Sequence, residues 1–158
     1  MATPPKQKPG RSEQSVGTPP EFLEKVKGLL GIEEFNIDLA ADSQNTVAHD
    51  FYSKEIDSLK QDWGFGGWSW LNPPYSHITP WVEKAYLESL KGAKIAVLVP
   101  ASVGSKWWSN WVDGKAHVLF VQPRITFVGH KDPYPKDLAL LLYTKYVKGG
   151  HYHWRWNE

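Results

Sequence analysis

Segments with apolar side chains at helical spacing recur along the 158-residue chain. The first segment follows Thr18-Pro19, where Thr18 suits an N-cap, Pro19 the first helical position and Glu21 a capping box. Gly31 is expected to end this helix. Its predicted apolar face consists of Phe22, Leu23, Val26, Leu29 and Leu30. Residues 79–90 predict a second helix, and "SKWWSNWVD" at 105–113 predicts a short third one.

Apolar runs of strand length separate these helices. Residues 35–40, 67–72, 94–100 and 116–121 predict strands, and the run "KIAVLVP" at 94–100 is typical of a strand covered on both faces. Because strands alternate with helices, we predict an α/β fold with a mostly parallel sheet and helices on both faces. The runs "RITF" and "LALLLY" have no helix between them. They predict an antiparallel pair at one edge of the sheet.

Composition narrows the class of protein. Residues 1–17 are rich in Pro, Lys and Ser and predict a disordered tail, which leaves 18–158 as a single domain. The net charge of +1 predicts no general attraction to polyanions, so a nucleic-acid surface would have to be local. The absence of cysteine excludes disulfides and thiolate metal sites. No run reaches the roughly 20 apolar residues of a membrane span, and we expect a cytoplasmic protein.

The stretch Asn72-Pro73-Pro74-Tyr75, here named the NPPY corner, follows the predicted strand at 67–72. Ligands of parallel sheets bind beyond this end of the strands. Residues before proline are held extended and prolines lack an N–H, so the corner presents carbonyl oxygens, the Asn72 amide and the Tyr75 ring. Two hydrogen-bond acceptors beside an aromatic ring suit a planar group that carries an exocyclic NH₂. By holding both hydrogens, the acceptors would localise the lone pair of that nitrogen. The alternative is an ordinary Pro-Pro turn with a packed tyrosine.

The sequence "NPPYS" at 72–76 resembles the catalytic motif (D/N/S)PP(Y/F) of amino-group methyltransferases. The wider pattern is similar to the phage-type DNA N6-adenine methyltransferases, the phage Dam family, in the blocks at 18–26, 35–63, 70–85, 96–108 and 120–129. The resemblance implies a Rossmann-like methyltransferase fold with an antiparallel last strand pair. It also implies S-adenosylmethionine as methyl donor, S-adenosylhomocysteine as product, and adenine in double-stranded DNA as acceptor, with no metal.

The resemblance also implies roles for the NPPY corner. Asn72 and the Pro73 carbonyl would accept the two N6 hydrogens of adenine, Pro74 would stiffen the corner, and Tyr75 would stack on the base. A duplex adenine lies inside its stack, so it would be flipped out to reach these groups. The predicted catalytic residues are Asn72, Pro73, Pro74 and Tyr75.

A second set of residues is expected to bind the donor. Asp38, at the exit of the first strand, would meet its cationic end, with a helix cap or a solvated turn as the alternative. Asp57 matches an acidic position of the family and would bind the adenine part of the donor. The predicted donor-binding residues are Thr18, Pro19, Asp38, Ala40, Phe51, Asp57, Leu59 and Asn72. The usual glycine-rich loop is absent, since "DLAADSQN" at 38–45 contains no glycine, a lack that the phage family shares.

The remaining predicted contacts face DNA. Lys106 would touch a phosphate, Arg124 would meet phosphate or shape the base pocket, and Phe127 would line that pocket. The predicted DNA-binding residues are Tyr75, Ser76, Lys106, Arg124 and Phe127. The terminal "HYHWRWNE" is read either as a DNA contact or as a packed segment.

Three other functions stay open at this point. The NPPY corner also suits cytosine N4 and a glutamine side-chain amide, because each carries an NH₂ conjugated to a π-system. A catalytically inactive DNA-binding protein could use the same scaffold. We favour the adenine enzyme, acting as a monomer, in the bacterial host cytoplasm if it is phage-encoded.

Overall fold

A computed structural model describes residues 17–64 and 66–158, so the predicted tail lies outside the described residues except for Gly17. The helices and strands within this part are α1 (Pro20–Leu30), β1 (Ile37–Asp38), β2 (Trp68–Leu71), α2 (Thr79–Leu90), β3 (Lys94–Pro100), α3 (Lys106–Trp111), β4 (His117–Gln122), β5 (Leu138–Tyr143) and β6 (His151–Arg155). Two 3₁₀ turns, Lys54–Ile56 and Ser58–Lys60, lie between β1 and β2. Over these residues no helix has both the length and the apolar character needed to cross a membrane.

The described strands form one six-stranded sheet in the order β1-β2-β3-β5-β4-β6. Strands β1, β2 and β3 are mutually parallel, β5 is antiparallel to both of its neighbours, and β6 is parallel to β4. Alternate side chains of the strands enter two separate cores, one shared with α2 and α3 and the other with α1. The predicted α/β fold with helices on both faces is therefore confirmed.

The antiparallel strand lies inside the sheet, so its predicted place at the edge was wrong. Strand β5 is flanked by β3 and β4, which leaves it no open side for residues 124–127, and those residues form no strand. Pro123 also lacks the N–H that would extend the β4 ladder. Ile125 and Phe127 are buried in the core on the α1 side, which accounts for their alternating apolar pattern. The edge belongs to β6, which the sequence pattern did not predict as a strand.

Helix α1 differs from its prediction at its first residue. Pro19, not Thr18, is the N-cap, with φ −63° and ψ 139°, and no side chain caps the helix. Because Pro20 disfavours helical geometry in the residue before it, Pro19 stays extended and the helix begins at Pro20. Gly31 ends the helix in the left-handed conformation, as predicted. Of the predicted apolar face, Leu29 is exposed in the last turn.

Candidate active site

A cavity of about 630 Å³ opens beyond the carboxyl ends of β1 and β2. Its volume lies in the range typical of small-molecule sites. Three segments form its wall: the loop after β1, the segment around the two 3₁₀ turns, and the region directly after β2. The lining residues are Leu39, Ala40, Ala41, Asp42, Asn45, Tyr52, Ser53, Lys54, Glu55, Asp57, Ser58, Asn72, Pro74, Ser76 and Trp81.

The cavity brings together some of the predicted residues and leaves out others. Ala40, Asp57, Asn72, Pro74 and Ser76 line it. The predicted donor-binding residues that do not line it are Thr18, Pro19, Asp38, Phe51 and Leu59. The missed wall residues fall largely in two stretches, "ADSQN" and "YSKE", and the polar side chains of the first, just after β1, were the available signal.

Asn72 is the first residue after β2, and its amide Nδ2 donates to the hydroxyl of Thr18 at 3.4 Å. Thr18 is buried just before α1, so this contact joins two segments that are far apart in sequence. Thr18 therefore takes part in the site by contacting Asn72, not by capping the helix. Asn72 is half-buried and lines the cavity, and Pro73 beside it is buried.

Tyr75 is held by contacts on the side of the corner that faces β3 and α1. Its hydroxyl donates to the Leu98 carbonyl of β3 at 3.2 Å. Its ring meets Tyr134 with centroids 5.8 Å apart, and Tyr134 meets Phe127 at 5.6 Å. Phe127 is 2% exposed, so it is a core residue, and it is linked to Tyr75 through Tyr134, a residue that sequence reasoning did not identify.

Asp38 is buried at the end of β1, and its carboxylate is directed at its own loop. One oxygen accepts from the Ala40 N–H at 3.2 Å and the other from the Val47 N–H at 3.0 Å. Burial raises the pKa of Asp38 from 3.8 to about 7, although these two N–H groups oppose the shift. Asp38 thus holds the loop at 40–47, part of which lines the cavity, and its direct contact with the donor stays a prediction.

The ionisation of Asp38 predicts a dependence of stability on pH. Between pH 4 and 7 the folded protein keeps a proton on Asp38 that the unfolded chain has released, so the free energy of unfolding falls as the pH rises. The raised pKa accounts for up to about 4 kcal/mol over that window. Asp38→Asn should lose this component, and denaturant unfolding of both proteins at several pH values measures the difference. Parallel pH profiles for the two proteins would contradict the assignment.

Side-chain hydrogen bonds shape the loop after β1, which lacks the usual glycine-rich turn. The Asp42 carboxylate accepts from the backbone N–H groups of Gln44 and Asn45 at 2.8 and 3.0 Å. The Asn45 side-chain oxygen in turn accepts from the Asp42 N–H at 2.9 Å. Such local bonds stabilise a tight turn without glycine. The loop after β1 therefore has a defined shape where it meets the cavity.

Comparison with known proteins adds to this geometry. The model of the family "DNA N-6-adenine-methyltransferase (Dam)" matches residues 8–138, a span that begins within the segment predicted as a tail and includes the NPPY corner. This chain belongs to that family. A DNA N-6-adenine-methyltransferase of Escherichia phage T1 is 32% identical over 109 residues, which cover 69% of this chain and 45% of the relative. Another from Haemophilus phage HP1 is 31% identical over 100 residues, 62% of this chain and 57% of the relative.

The chain thus spans about half the length of the curated relatives it matches. Among solved structures, the crystal structure of a predicted O-methyltransferase from Agrobacterium tumefaciens is similar over 54% of this chain and 39% of its own. Its TM-score is 0.34 at 15% identity, a likeness too weak to support a conclusion about this chain.

In this member of the Dam family, Glu88 of α2 supports one wall of the cavity. Its carboxylate accepts from the Trp63 backbone N–H at 2.7 Å and pairs with Lys91 at 2.7 Å. Burial alone would raise the pKa of Glu88, but the bonds from Lys91 and Trp63 lower it overall. The indole of Trp63 donates to the Ser58 carbonyl at 3.0 Å, and Ser58 lines the cavity. A carboxylate on α2 therefore fixes the position of the wall around Ser58.

We expect Glu88→Ala to destabilise the protein by about 3 kcal/mol, because it leaves the Trp63 N–H, Lys84 and Lys91 without their acceptor. Glu88→Gln keeps an acceptor and should lose about half as much. Affinity for S-adenosylmethionine, the donor that the resemblance implies, should fall in the same order, and calorimetry measures it beside denaturant unfolding. Glu83→Ala, a substitution on the same helix, is the control. Donor affinity equal to that of the control would separate Glu88 from the cavity.

The predicted DNA contacts of this Dam-family chain lie in different surroundings. Lys106 is exposed at the start of α3. Arg124 donates from Nε to Asp137 at 3.0 Å and from Nη1 to the Pro135 carbonyl at 3.3 Å, so it holds together the loop between β4 and β5. Of the two roles predicted for Arg124, these contacts fit the shaping of a pocket better than the binding of a phosphate. The described residues include no group of three or more His, Asp or Glu that could hold a metal ion.

Proposed function

We propose that the protein transfers a methyl group from S-adenosylmethionine to the N6 amino group of adenine in DNA. The observation that carries this proposal is the position of Asn72. It lines the cavity beyond β1 and β2 and is also the first residue of the NPPY corner. A donor in the cavity and an amino group held at the corner would therefore meet at one side chain. Membership of the Dam family supports the choice of acceptor.

The chemistry of the cavity suits the proposed donor. The carboxylates of Asp42, Glu55 and Asp57 line it against the single lysine Lys54, which favours a cationic ligand. The ring of Trp81, together with that of Tyr52, adds flat apolar surface of the kind that binds a purine. When bound, S-adenosylmethionine supplies an electrophilic methyl group on a sulfonium. Asp38 and Thr18 would act one step away, by holding the loop at 40–47 and the Asn72 amide.

The NPPY corner would bind the acceptor. The Asn72 side-chain oxygen and the Pro73 carbonyl would accept the two hydrogens of the adenine amino group, which leaves its lone pair directed away from them. The base would leave the duplex to reach this corner. The Tyr75 ring, fixed through Leu98 and Tyr134, would stack on it. Catalysis would then come from positioning and from the placement of these acceptors.

The test is to incubate duplex DNA with the protein and S-adenosylmethionine and to measure the modified nucleosides by mass spectrometry. N6-methyladenine is expected. Formation of N4-methylcytosine would show that cytosine is the acceptor. Transfer only to a glutamine-containing protein would show that DNA is not the substrate. Tight DNA binding without any transfer would identify an inactive DNA-binding protein. If DNA is the substrate of a phage enzyme, the protein acts in the cytoplasm of the bacterial host.

A further inference from the structure

Charge is divided unevenly between two segments of the chain. Residues 21–62, which run through α1 and β1 to the cavity wall, carry ten acidic and four basic side chains. Residues 114–157, which form β4, β5, β6 and their connections, carry seven basic and two acidic side chains. The net charge of +1 hides this difference. A polyanion would therefore be attracted more strongly to the surface formed by β4, β5, β6 and their connections than to the acidic segment.

Some side chains of the edge strand β6 pack on the rest of the protein, and others face solvent. Trp154 packs on Phe22 of α1, with ring centroids 5.6 Å apart. The residues that alternate with it, His151, His153 and Arg155, lie on the opposite face and are exposed. In the terminal segment, for which packing and DNA contact were both open, the tryptophans are half-buried against α1 and the basic residues are exposed.

Phe120 of β4 lies between the two histidines on that exposed face. Its ring centroid is 5.7 Å from that of His151 and 5.9 Å from that of His153, and it is half-buried. Trp108 of α3 stacks on Phe120 at 6.5 Å. The imidazoles are therefore arranged around a ring that is itself packed on a helix, so this part of the surface has a defined shape.

Lysines extend the exposed face beyond the start of β6. Lys145 and Lys148 lie in the connection from β5 to β6 and are exposed. Between them, Tyr146 is 78% exposed, with Lys145 5.4 Å from its ring. Within residues 17–64 and 66–158, neither lysine nor Arg155 makes an ion pair with a carboxylate. Their charges remain available to a ligand.

We propose that these residues form a docking strip for the phosphate backbone of duplex DNA. The strip consists of Lys145, Lys148, His151, His153 and Arg155. Strand β6 is parallel to β4, so its Arg155 end lies at the carboxyl end of the sheet, where the site is. Five strand residues extend about 17 Å, which is roughly half a turn of the duplex. The identity of the polyanion as DNA rests on the proposed function.

The test uses the full chain and a fluorescently labelled duplex in a series of salt concentrations. Lys148→Ala combined with Arg155→Ala should weaken DNA binding by about tenfold or more. It should also reduce the slope of log affinity against log salt by about 2, since each lost phosphate contact contributes about 0.9. Donor affinity should not change, and thermal unfolding should change only slightly, since Lys148 also lies over the Tyr86 ring at 5.9 Å. Arg155→Lys keeps the charge and should keep the slope.

The matched control is Lys60→Ala combined with Lys94→Ala, which removes the same charge from the second 3₁₀ turn and from the start of β3, outside the strip. Unchanged DNA affinity and slope in the strip variant, beside a wild type that methylates DNA, would overturn the strip and leave the proposed function standing. A wild type that binds no duplex DNA would overturn both. Loss of a dimer in the strip variant, with DNA affinity unchanged, would assign the strip to a second copy of the chain and overturn the proposal.

Discussion

Asn72→Ala is expected to lower the rate of methyl transfer by at least about 100-fold, the effect of removing one positioned polar group from a reaction site. The side chain lies where the cavity meets the NPPY corner, and alanine would remove the acceptor that we propose for the adenine amino group. The fold should persist, because the residue is half-buried and comes just after the last residue of β2. Single-turnover rates with saturating donor and DNA measure the chemical step.

Two further variants separate the reaction from the binding of the donor. Asn72→Asp keeps an acceptor at the same position, as the general motif (D/N/S)PP(Y/F) allows, and should retain more activity than alanine. Thr18→Val removes the hydroxyl that contacts Asn72 at 3.4 Å and should lower the rate less than Asn72→Ala does. If Asn72→Ala changed only the affinity for the donor and left the single-turnover rate intact, Asn72 would be a wall residue and no more.

Tyr75→Ala is expected to slow methyl transfer by about 100-fold and to weaken DNA binding. Stacking of a base on an aromatic side chain contributes about 1–3 kcal/mol, and alanine removes that surface. It also removes the ring that Tyr134 contacts, so some loss of thermal stability should accompany the loss of activity. Rates at saturating DNA and the affinity for DNA, measured separately, show whether stacking acts in binding, in the reaction, or in both.

Tyr75→Phe is the matched control, because it keeps the ring and loses only the hydroxyl that donates to the Leu98 carbonyl. Its rate should remain within about tenfold of the wild type, since one neutral hydrogen bond contributes about 1 kcal/mol. Equal losses in the phenylalanine and alanine variants would show that Tyr75 acts through its tether to β3 and not by stacking.

The sequence predicted elements well where a segment's own pattern decided the structure. The run from Lys94 to Pro100 is apolar after its first residue and forms β3 with the predicted bounds. Gly31 ends α1 because a left-handed residue is needed there and glycine adopts it without strain. Residues 124–127 show the limit of this reasoning. Their alternating pattern fits a strand as well as a packed loop, and the loop formed because β5 had no free edge left.

In the candidate site, too, some features follow from the local sequence and others depend on the tertiary structure. The NPPY corner was identified because two successive prolines restrict the chain wherever they occur. Asp38 was placed correctly at the end of β1, but which groups its carboxylate contacts depends on the fold of the loop after it. The role of Glu88 depends on a hydrogen bond to Trp63, 25 positions away in the chain, for which no local pattern exists.

By itself, the sequence determined the alternation of strands and helices, the stiff corner at residues 72–75 and the uneven distribution of charge. These features depend on the sterics and polarity of neighbouring residues, which act in the same way in any fold. Only the tertiary structure decided that β5 enters the sheet between β3 and β4, that the segments at 39–58 enclose the cavity against Asn72, and that the basic residues of β6 share one exposed face. Each of these three features depends on which segments, distant in sequence, pack against each other. Close packing decides those contacts for the whole chain together, so no local pattern can predict them.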